Sequence, residues 1–158
     1  MNKFFSFKIL FIALLIIPVI QAVECGITPT DDCIVTQSTT FNQGVYNLPN
    51  GLSVQGSDII LDCNGALLQG NDGPRSGITV DSGNRNTVKN CQITNYIIGL
   101  RINTHYNTII NNYISSSRHH GISLYLSDYN IIAHNIVTNN NLDGIEPSNS
   151  NYNLIYDN

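Results

Sequence analysis

The chain has 158 residues, of which 23 are Asn and only 11% are charged, and its formal net charge is −4. This length suits one domain and excludes most multidomain enzymes. Seven Lys and Arg residues against eleven Asp and Glu argue against nucleic-acid binding, which needs clustered positive charge. Disorder is not indicated, because 42% of the residues are hydrophobic.

Residues 1–22 have the pattern of a secretory signal peptide. Lys3 and Lys8 precede an uncharged apolar run over Ile9–Ile17, Pro18 follows, and Ala22 ends a cleavage-site sequence. The run is shorter than the ~20 residues of a transmembrane helix, although an uncleaved anchor is the alternative interpretation. We expect a secreted, periplasmic or cell-surface protein with no membrane span after signal cleavage.

The four cysteines are best interpreted in the context of export. An even number of cysteines in an exported chain favours disulfides. None of the spacings between Cys25, Cys33, Cys63 and Cys91 matches the C-x2-C pattern of a zinc site, so a metal site is the weaker interpretation.

From Gly51 to Asn158 the sequence repeats about every 22 residues. A looser first copy is lengthened by a turn-rich loop at residues 70–74. Short β-branched stretches alternate with polar residues in each copy, which predicts strands of about three to five residues. The later copies align at glycines that are 22, 22 and 23 residues apart and precede Ile or Leu: Gly77, Gly99, Gly121 and Gly144.

These strands predict a β-solenoid in which each copy makes one coil and pairs in parallel with the next coil, about 4.8 Å away. Residues 23–50 lack the repeat and are expected to form an N-terminal cap over residues 51–158. The last copy stops at Asn158 without a cap. We therefore expect either a fragment of a longer protein or end-to-end contact of the last coil with another chain.

The abundance of Asn has a structural interpretation. A sharp corner between strands favours residues that tolerate left-handed backbone, namely Gly and Asn. Stacked Asn amides can hydrogen-bond from one coil to the next. We expect such a ladder at Asn112, Asn135 and Asn158, which occupy one position in successive copies.

The repeats resemble the NosD-like group of right-handed parallel β-helix proteins, within the pectin-lyase-like fold. The resemblance lies in the stretches Asn86–Ile93, Asn107–Ile114, Gly121–Asn130 and Ile60–Gly65. It implies an all-β, single-stranded, right-handed parallel β-helix. It says little about activity, because this coil serves lyases, hydrolases, epimerases and non-catalytic surface proteins. The name of the NosD-like group suggests copper, but the sequence contains no Met cluster and no spaced His pair that could bind it, so no cofactor is expected.

The repeat register also suggests how the cysteines pair. Cys63 and Cys91 occupy the same position in successive coils. A spacing of about 4.8 Å lies within the range of Cα separations that a disulfide spans, roughly 4.4–6.8 Å. We predict a Cys63–Cys91 disulfide and a Cys25–Cys33 disulfide, with stacked free thiols as the alternative.

Candidate functional residues lie where the alternation points side chains outward. Arg101, Tyr125 and Glu146 are expected on one face, where His120 and Asp143 stack in adjacent coils. A His beside a carboxylate can act as a general base, Arg can hold a uronate carboxylate, and Tyr can stack on a sugar ring. His105 and Asp128 share another position in adjacent coils.

Two functional classes remain open. The first is a structural or glycan- and surface-binding module, whose partners would be polysaccharide or cell-surface components and not nucleic acid. The alternative is a carbohydrate-active enzyme, namely a polysaccharide lyase, hydrolase or epimerase acting on acidic polysaccharide. Its candidate site residues are His120, Asp143, Arg101, Tyr125 and Glu146.

Overall fold

A computed structural model describes residues 23–158, so the predicted signal peptide lies outside the described residues. The described part contains seventeen short strands, and no helix in it is long and apolar enough to cross a membrane. The strands follow the chain in five coils of three strands and a last coil of two. They are β1 (Cys33–Val35), β2 (Thr39–Thr40) and β3 (Val45–Asn47) in the first coil; β4 (Leu52–Gln55), β5 (Ile60–Asp62) and β6 (Leu67–Gln69) in the second; β7 (Ser76–Ser82), β8 (Thr87–Lys89) and β9 (Gln92–Thr94) in the third; β10 (Ile98–Ile102), β11 (Thr108–Ile110) and β12 (Tyr113–Ser115) in the fourth; β13 (Ile122–Tyr125), β14 (Ile131–Ala133) and β15 (Ile136–Thr138) in the fifth; and β16 (Ile145–Ser148) and β17 (Leu154–Tyr156) in the sixth.

Each strand pairs in parallel with the equivalent strand of the neighbouring coil, which gives three sheets. Sheet 1 has the order β1-β4-β7-β10-β13-β16, sheet 2 the order β2-β5-β8-β11-β14-β17, and sheet 3 the order β3-β6-β9-β12-β15. From the third coil onward, paired residues are 21 to 23 positions apart, from Thr87 with Thr108 to Ile122 with Ile145. The prediction of an all-β parallel β-helix is therefore confirmed.

The core is a stack of equivalent apolar layers. In the regular coils, each strand of sheet 1 points two residues inward, and each strand of sheets 2 and 3 points one residue inward, as the alternation predicts. Burying one such Ile, Leu or Val contributes about 1.5–3 kcal/mol, so the stack is the main source of stability. The fully buried residues of the third to fifth coils include Ile78, Val80, Leu100, Ile102, Ile122 and Leu124 in sheet 1, Val88, Ile109 and Ile132 in sheet 2, and Ile93 and Ile114 in sheet 3.

The segment expected to act as a cap, residues 23–50, forms a coil of its own. Its strands β1, β2 and β3 pair with β4, β5 and β6 of the second coil. Glu24 makes a further parallel bridge to Ile34, which adds backbone pairing at the outer edge of β1. The segment thus covers the coil that begins near Gly51 by continuing the same three sheets, without the Gly and Asn positions that mark later copies.

The repeated glycines are required by close packing at the corner between sheets 3 and 1. A Cβ atom on Gly77 would lie 2.6 Å from Ile93 Cγ2 and 2.7 Å from the backbone oxygen of Gly99. Gly99 and Gly121 meet the same obstruction from Ile114 and Val137. None of these three glycines has a positive φ, so space rather than left-handed backbone explains them.

Asn112, Asn135 and Asn158 lie in one ladder at the corner between sheets 2 and 3. The Oδ1 of Asn135 accepts hydrogen bonds from the backbone nitrogen and the Nδ2 of Asn112, both at 3.0 Å. Asn158 accepts the equivalent bonds from Asn135 at 3.1 and 2.8 Å. Asn112 Nδ2 also donates to the carbonyl oxygen of Val88 at 3.1 Å. These amides satisfy backbone groups that the corner removes from the sheet ladders.

The left-handed conformation belongs to the residues that precede this ladder. Asn90 and Asn111 both have φ 56°, and His134 and Asp157 follow with 54° and 52°. The sequence interpretation assigned the corner and the ladder to the same Asn, whereas adjacent residues share the two tasks. A second buried ladder, which the sequence reasoning did not identify, runs between sheets 1 and 2 along Asn86, Asn107, Asn130 and Asn153.

Both predicted disulfides are confirmed. Cys63–Cys91 joins the second and third coils with Cα atoms 4.7 Å apart, and Cys25–Cys33 has a Cα separation of 5.0 Å. The Cys63–Cys91 disulfide extends the Asn112 ladder, because Cys91 donates its backbone N–H to Asn112 Oδ1 at 2.9 Å. Disulfides of this kind persist in oxidising compartments outside the cytoplasm.

We predict that Gly77→Ala lowers the free energy of unfolding by about 1–3 kcal/mol, because its Cβ overpacks a corner closed by backbone. Gly144→Ala is the matched control, since its Cβ would lie 3.7 Å from Val137 Cγ1, an ordinary contact. Urea unfolding followed by circular dichroism measures both. Equal stability of the two variants would contradict the packing explanation.

We also predict that Asn112→Asp lowers the free energy of unfolding by about 2 kcal/mol or more. The change removes both Nδ2 hydrogen bonds and places a buried carboxylate against Val88 O and Asn135 Oδ1. Asn111→Asp serves as the control because Asn111 is exposed and Asp tolerates its left-handed backbone, so a change within about 0.5 kcal/mol is expected. Similar losses in both variants, measured by the same denaturation, would refute a special role for the ladder.

Candidate functional site

The outer face of sheet 1 presents columns of polar side chains that the register sets side by side. Thr79 on β7, Arg101 on β10 and Ser123 on β13 are directly paired, and Ser123 is paired with Glu146 on β16. The alternation along each strand points these side chains away from the core, and Ser123, which is only 5% exposed, is covered on this face and donates a hydrogen bond to Glu146. A second outward column contains Tyr125, which is paired with Ser148.

A groove of about 560 Å³ lies on this face and spans the first four coils. Hydroxyl and amide groups line it together with five charged side chains. The polar residues are Asn50, Ser53, Gln55, Ser76, Thr79 and Asn103, and the charged ones are Asp31, Asp32, Arg75, Asp81 and Arg101.

The charges of the groove are nearly balanced. Asp31 accepts hydrogen bonds from the backbone nitrogen and Nδ2 of Asn50, both at 2.7 Å, and Asp81 accepts one from Asn103 at 2.9 Å. Within residues 23–158, neither Arg75 nor Arg101 forms an ion pair. The groove therefore offers two guanidinium groups as donors in an almost neutral setting.

Arg101 is held in a defined position by two neighbours. Its Nε donates to Asn103 Oδ1 at 3.2 Å, and its guanidinium carbon lies 5.7 Å from the centre of the Tyr125 ring. This distance is typical of a cation–π contact. The two contacts leave the terminal nitrogens of Arg101 free of ion-pair partners, so they can donate to a ligand.

The five residues predicted from the sequence fall into three groups. His120 Nδ1 lies 3.5 Å from Asp143 Oδ2, Glu146 accepts a hydrogen bond from Ser123 at 2.9 Å, and Arg101 contacts Tyr125. Of the five, Arg101 alone lines the groove. Among the described residues no hydrogen bond or ion pair connects one group with another.

The His120–Asp143 pair is one of three His–Asp pairs in adjacent coils, of which two bring His Nδ1 close to a carboxylate oxygen. His134 Nδ1 lies 3.7 Å from Asp157 Oδ2, and His105 Nδ1 accepts a hydrogen bond from the backbone nitrogen of Asp128 at 3.0 Å. In each pair the residues are 23 positions apart and stack in adjacent coils. Since the register alone produces all three pairs, proximity of His120 to a carboxylate does not by itself indicate catalysis.

The sequence reasoning missed Arg75, Asp31 and Asp32 as groove residues. Arg75 directly follows the inserted loop at 70–74, and the two aspartates lie in the segment without a visible repeat. None of the three therefore belongs to a column that recurs at the coil spacing. The insertion itself was the available signal, because an irregular copy in a regular solenoid changes the local surface.

Together these features define an exported parallel β-solenoid with a polar groove on one sheet. A family model described as periplasmic copper-binding protein (NosD) matches residues 25–158, and the chain belongs to this family. Comparisons with curated proteins and with solved structures give no match.

The family description names copper, so we tested whether the residues present fit this metal. Copper sites are built from His, Cys and Met side chains that converge on one point. All four cysteines are in disulfides, and no group of three His, Cys, Asp or Glu residues in the described chain is placed to hold an ion. The donor set of residues 23–158 does not fit a copper centre.

Proposed function

We propose that the protein is an exported, non-catalytic solenoid that binds a glycan in the groove on sheet 1. The observation that supports this most is the groove itself, which crosses four coils and is lined by hydroxyl, amide, carboxylate and guanidinium groups together with four apolar residues. A sugar chain offers hydroxyl groups at regular intervals, and a wall of stacked polar columns can match them coil by coil. Backbone pairing along sheet 1 holds those groups in register, and the Cys25–Cys33 disulfide ties β1 to the segment that precedes it.

The charge distribution favours a neutral glycan over a polyuronate. Arg75 and Arg101 can donate to hydroxyl oxygens, but Asp32 and Asp81 line the same groove and would repel closely spaced carboxylates. Tyr125 contacts Arg101 and is 44% exposed, so it can support the guanidinium and also present part of its ring to a sugar.

The alternative class, a carbohydrate-active enzyme acting on acidic polysaccharide, has one supporting observation. The His120 imidazole lies beside the Asp143 carboxylate, an arrangement suited to general base catalysis. Against it stand the separation of this pair from the groove and the two further His–Asp pairs that the register produces.

Glycan binding is tested by calorimetric titration of the exported protein with neutral and uronate-containing oligosaccharides. We expect Arg101→Gln to weaken binding of the neutral ligand at least tenfold, because a hydrogen bond to a charged group contributes about 1.5–3 kcal/mol. Arg85→Gln, which removes a guanidinium from another corner, should have no effect. Unchanged affinity in both Arg101→Gln and Arg75→Gln would exclude the groove.

The enzyme alternative is tested by incubating the same protein with uronate polymers and following unsaturated products and reducing ends. We expect no turnover, and we expect glycan binding to survive His120→Ala and Asp143→Ala. Turnover that is abolished by either substitution would replace the binding module with the enzyme.

A further inference from the structure

A second cavity lies at the corner between sheets 3 and 1, away from the outer face of sheet 1. It has a volume of about 370 Å³ and spans the turns of several successive coils. The same position in three coils contributes Asn95, Ser116 and Asn139, which all adopt left-handed backbone. We refer to this cavity as the corner cleft.

The inserted loop at 70–74 closes one side of the corner cleft. Asp72 donates its backbone N–H to Asn95 O at 2.8 Å, and its carbonyl oxygen accepts a hydrogen bond from Arg118 Nη1, also at 2.8 Å. Arg118 belongs to the turn before the fifth coil, so this bond joins parts of the solenoid that are not adjacent. The insertion that makes one copy longer than the others thus completes the cleft and positions its guanidinium.

The side chains that a ligand in the corner cleft can reach are polar. Ser116, Arg118, Asn139 and Asn141 line the cleft and are exposed. Ser117 also lines it, but its Oγ is buried and points inward, because a Cβ atom on the buried Gly99 would lie 3.3 Å from it. Accessible amide and hydroxyl groups therefore surround the Arg118 guanidinium.

The chemistry of the lining selects one ligand class. Arg118 uses one N–H on Asp72 O and has no carboxylate ion-pair partner among residues 23–158, so its remaining donors are free. Asn and Ser side chains and the Asp72 carboxylate complete the lining, and no apolar side chain contributes, which disfavours a lipid or aromatic ligand. We propose that the corner cleft binds an oxyanion group through Arg118, either a free ion or a sulfate or carboxylate substituent.

This proposal is tested by nuclear magnetic resonance on the 15N-labelled exported protein. Sodium sulfate and sodium acetate are titrated against sodium chloride at constant ionic strength, with the Arg118 Nε–H and the Asn139 and Asn141 side-chain amides as reporters. We expect saturable shifts with an oxyanion and none with chloride. Shifts that are linear, or equal for chloride, would overturn the proposal.

Variants sharpen the test. Arg118→Gln should raise the dissociation constant at least tenfold, and Asp72→Asn, which keeps the backbone acceptor and removes the only carboxylate, should lower it. Arg85→Gln should leave it unchanged. An unchanged dissociation constant in Arg118→Gln contradicts the site. Titration with a sulfated oligosaccharide then separates the sources, because stronger binding than free sulfate identifies a glycan substituent and equal binding identifies the free ion.

The corner cleft does not depend on the glycan groove. Arg101→Gln should leave oxyanion binding intact, and Arg118→Gln should leave binding of a neutral glycan intact. The two proposals can therefore fail independently, because each variant affects the binding of only one ligand.

Discussion

Parallel pairing of each coil with the next is the constraint on which the structure depends. It places equivalent residues directly above one another, so every column of the solenoid must be compatible with itself. Isoleucine satisfies this condition inside, because identical branched side chains stack in layers. Asn satisfies it at the corners, because its amide both donates and accepts along the stack. A charged residue does not, since like charges about 4.8 Å apart repel each other. The scarcity of charge and the abundance of Asn thus have one physical cause.

The same condition applies to an exposed column beside the second Asn ladder, formed by Asp58, Arg85, Tyr106, Tyr129 and Tyr152. All five residues have left-handed backbone with φ between 56° and 61°, a costly conformation for bulky residues. Arg85 lies over Asp58 in a pair of 2.7 Å hydrogen bonds, and this hydrogen bond from Arg85 holds the pKa of Asp58 below its usual range. Further along, the Tyr106, Tyr129 and Tyr152 rings stack at 5.1 and 4.9 Å. Opposite charges and parallel rings are two other solutions to self-stacking. Within the stack the facing ring surfaces cover one another, whereas Tyr152 at its end is 76% exposed.

The features that could be predicted from the sequence are those formed by residues that recur in every coil. The inward Ile and Leu positions, the parallel coils and the Cys63–Cys91 disulfide all follow from residues that recur at one spacing. The first coil was not identified because its spacing is irregular and its residues differ. Val45 pairs with Leu67, 22 positions away, but Cys33 pairs with Leu52, only 19 positions away, and no Gly or Asn marks the copy. The groove and the corner cleft could not be predicted for a related reason. Their walls join residues such as Arg75 and Asp31, whose proximity depends on the path of an insertion and not on periodicity.

Departures from self-stacking are therefore the places where function is best sought. Arg101 is paired with Thr79 on one side and Ser123 on the other. Arg118 lies in the turn before the fifth coil, and the same position holds Ile97 in the preceding turn and Asn141 in the following one. Neither guanidinium is needed to satisfy the coil, since neither forms an ion pair within residues 23–158. The His–Asp pairs differ in this respect, because each is a contact between neighbours in one column. A side chain that the stacking does not use and that no charge neutralises is free to bind a ligand. By that criterion Arg75, Arg101 and Arg118, rather than His120 and Asp143, are the residues on which the proposed binding sites rest.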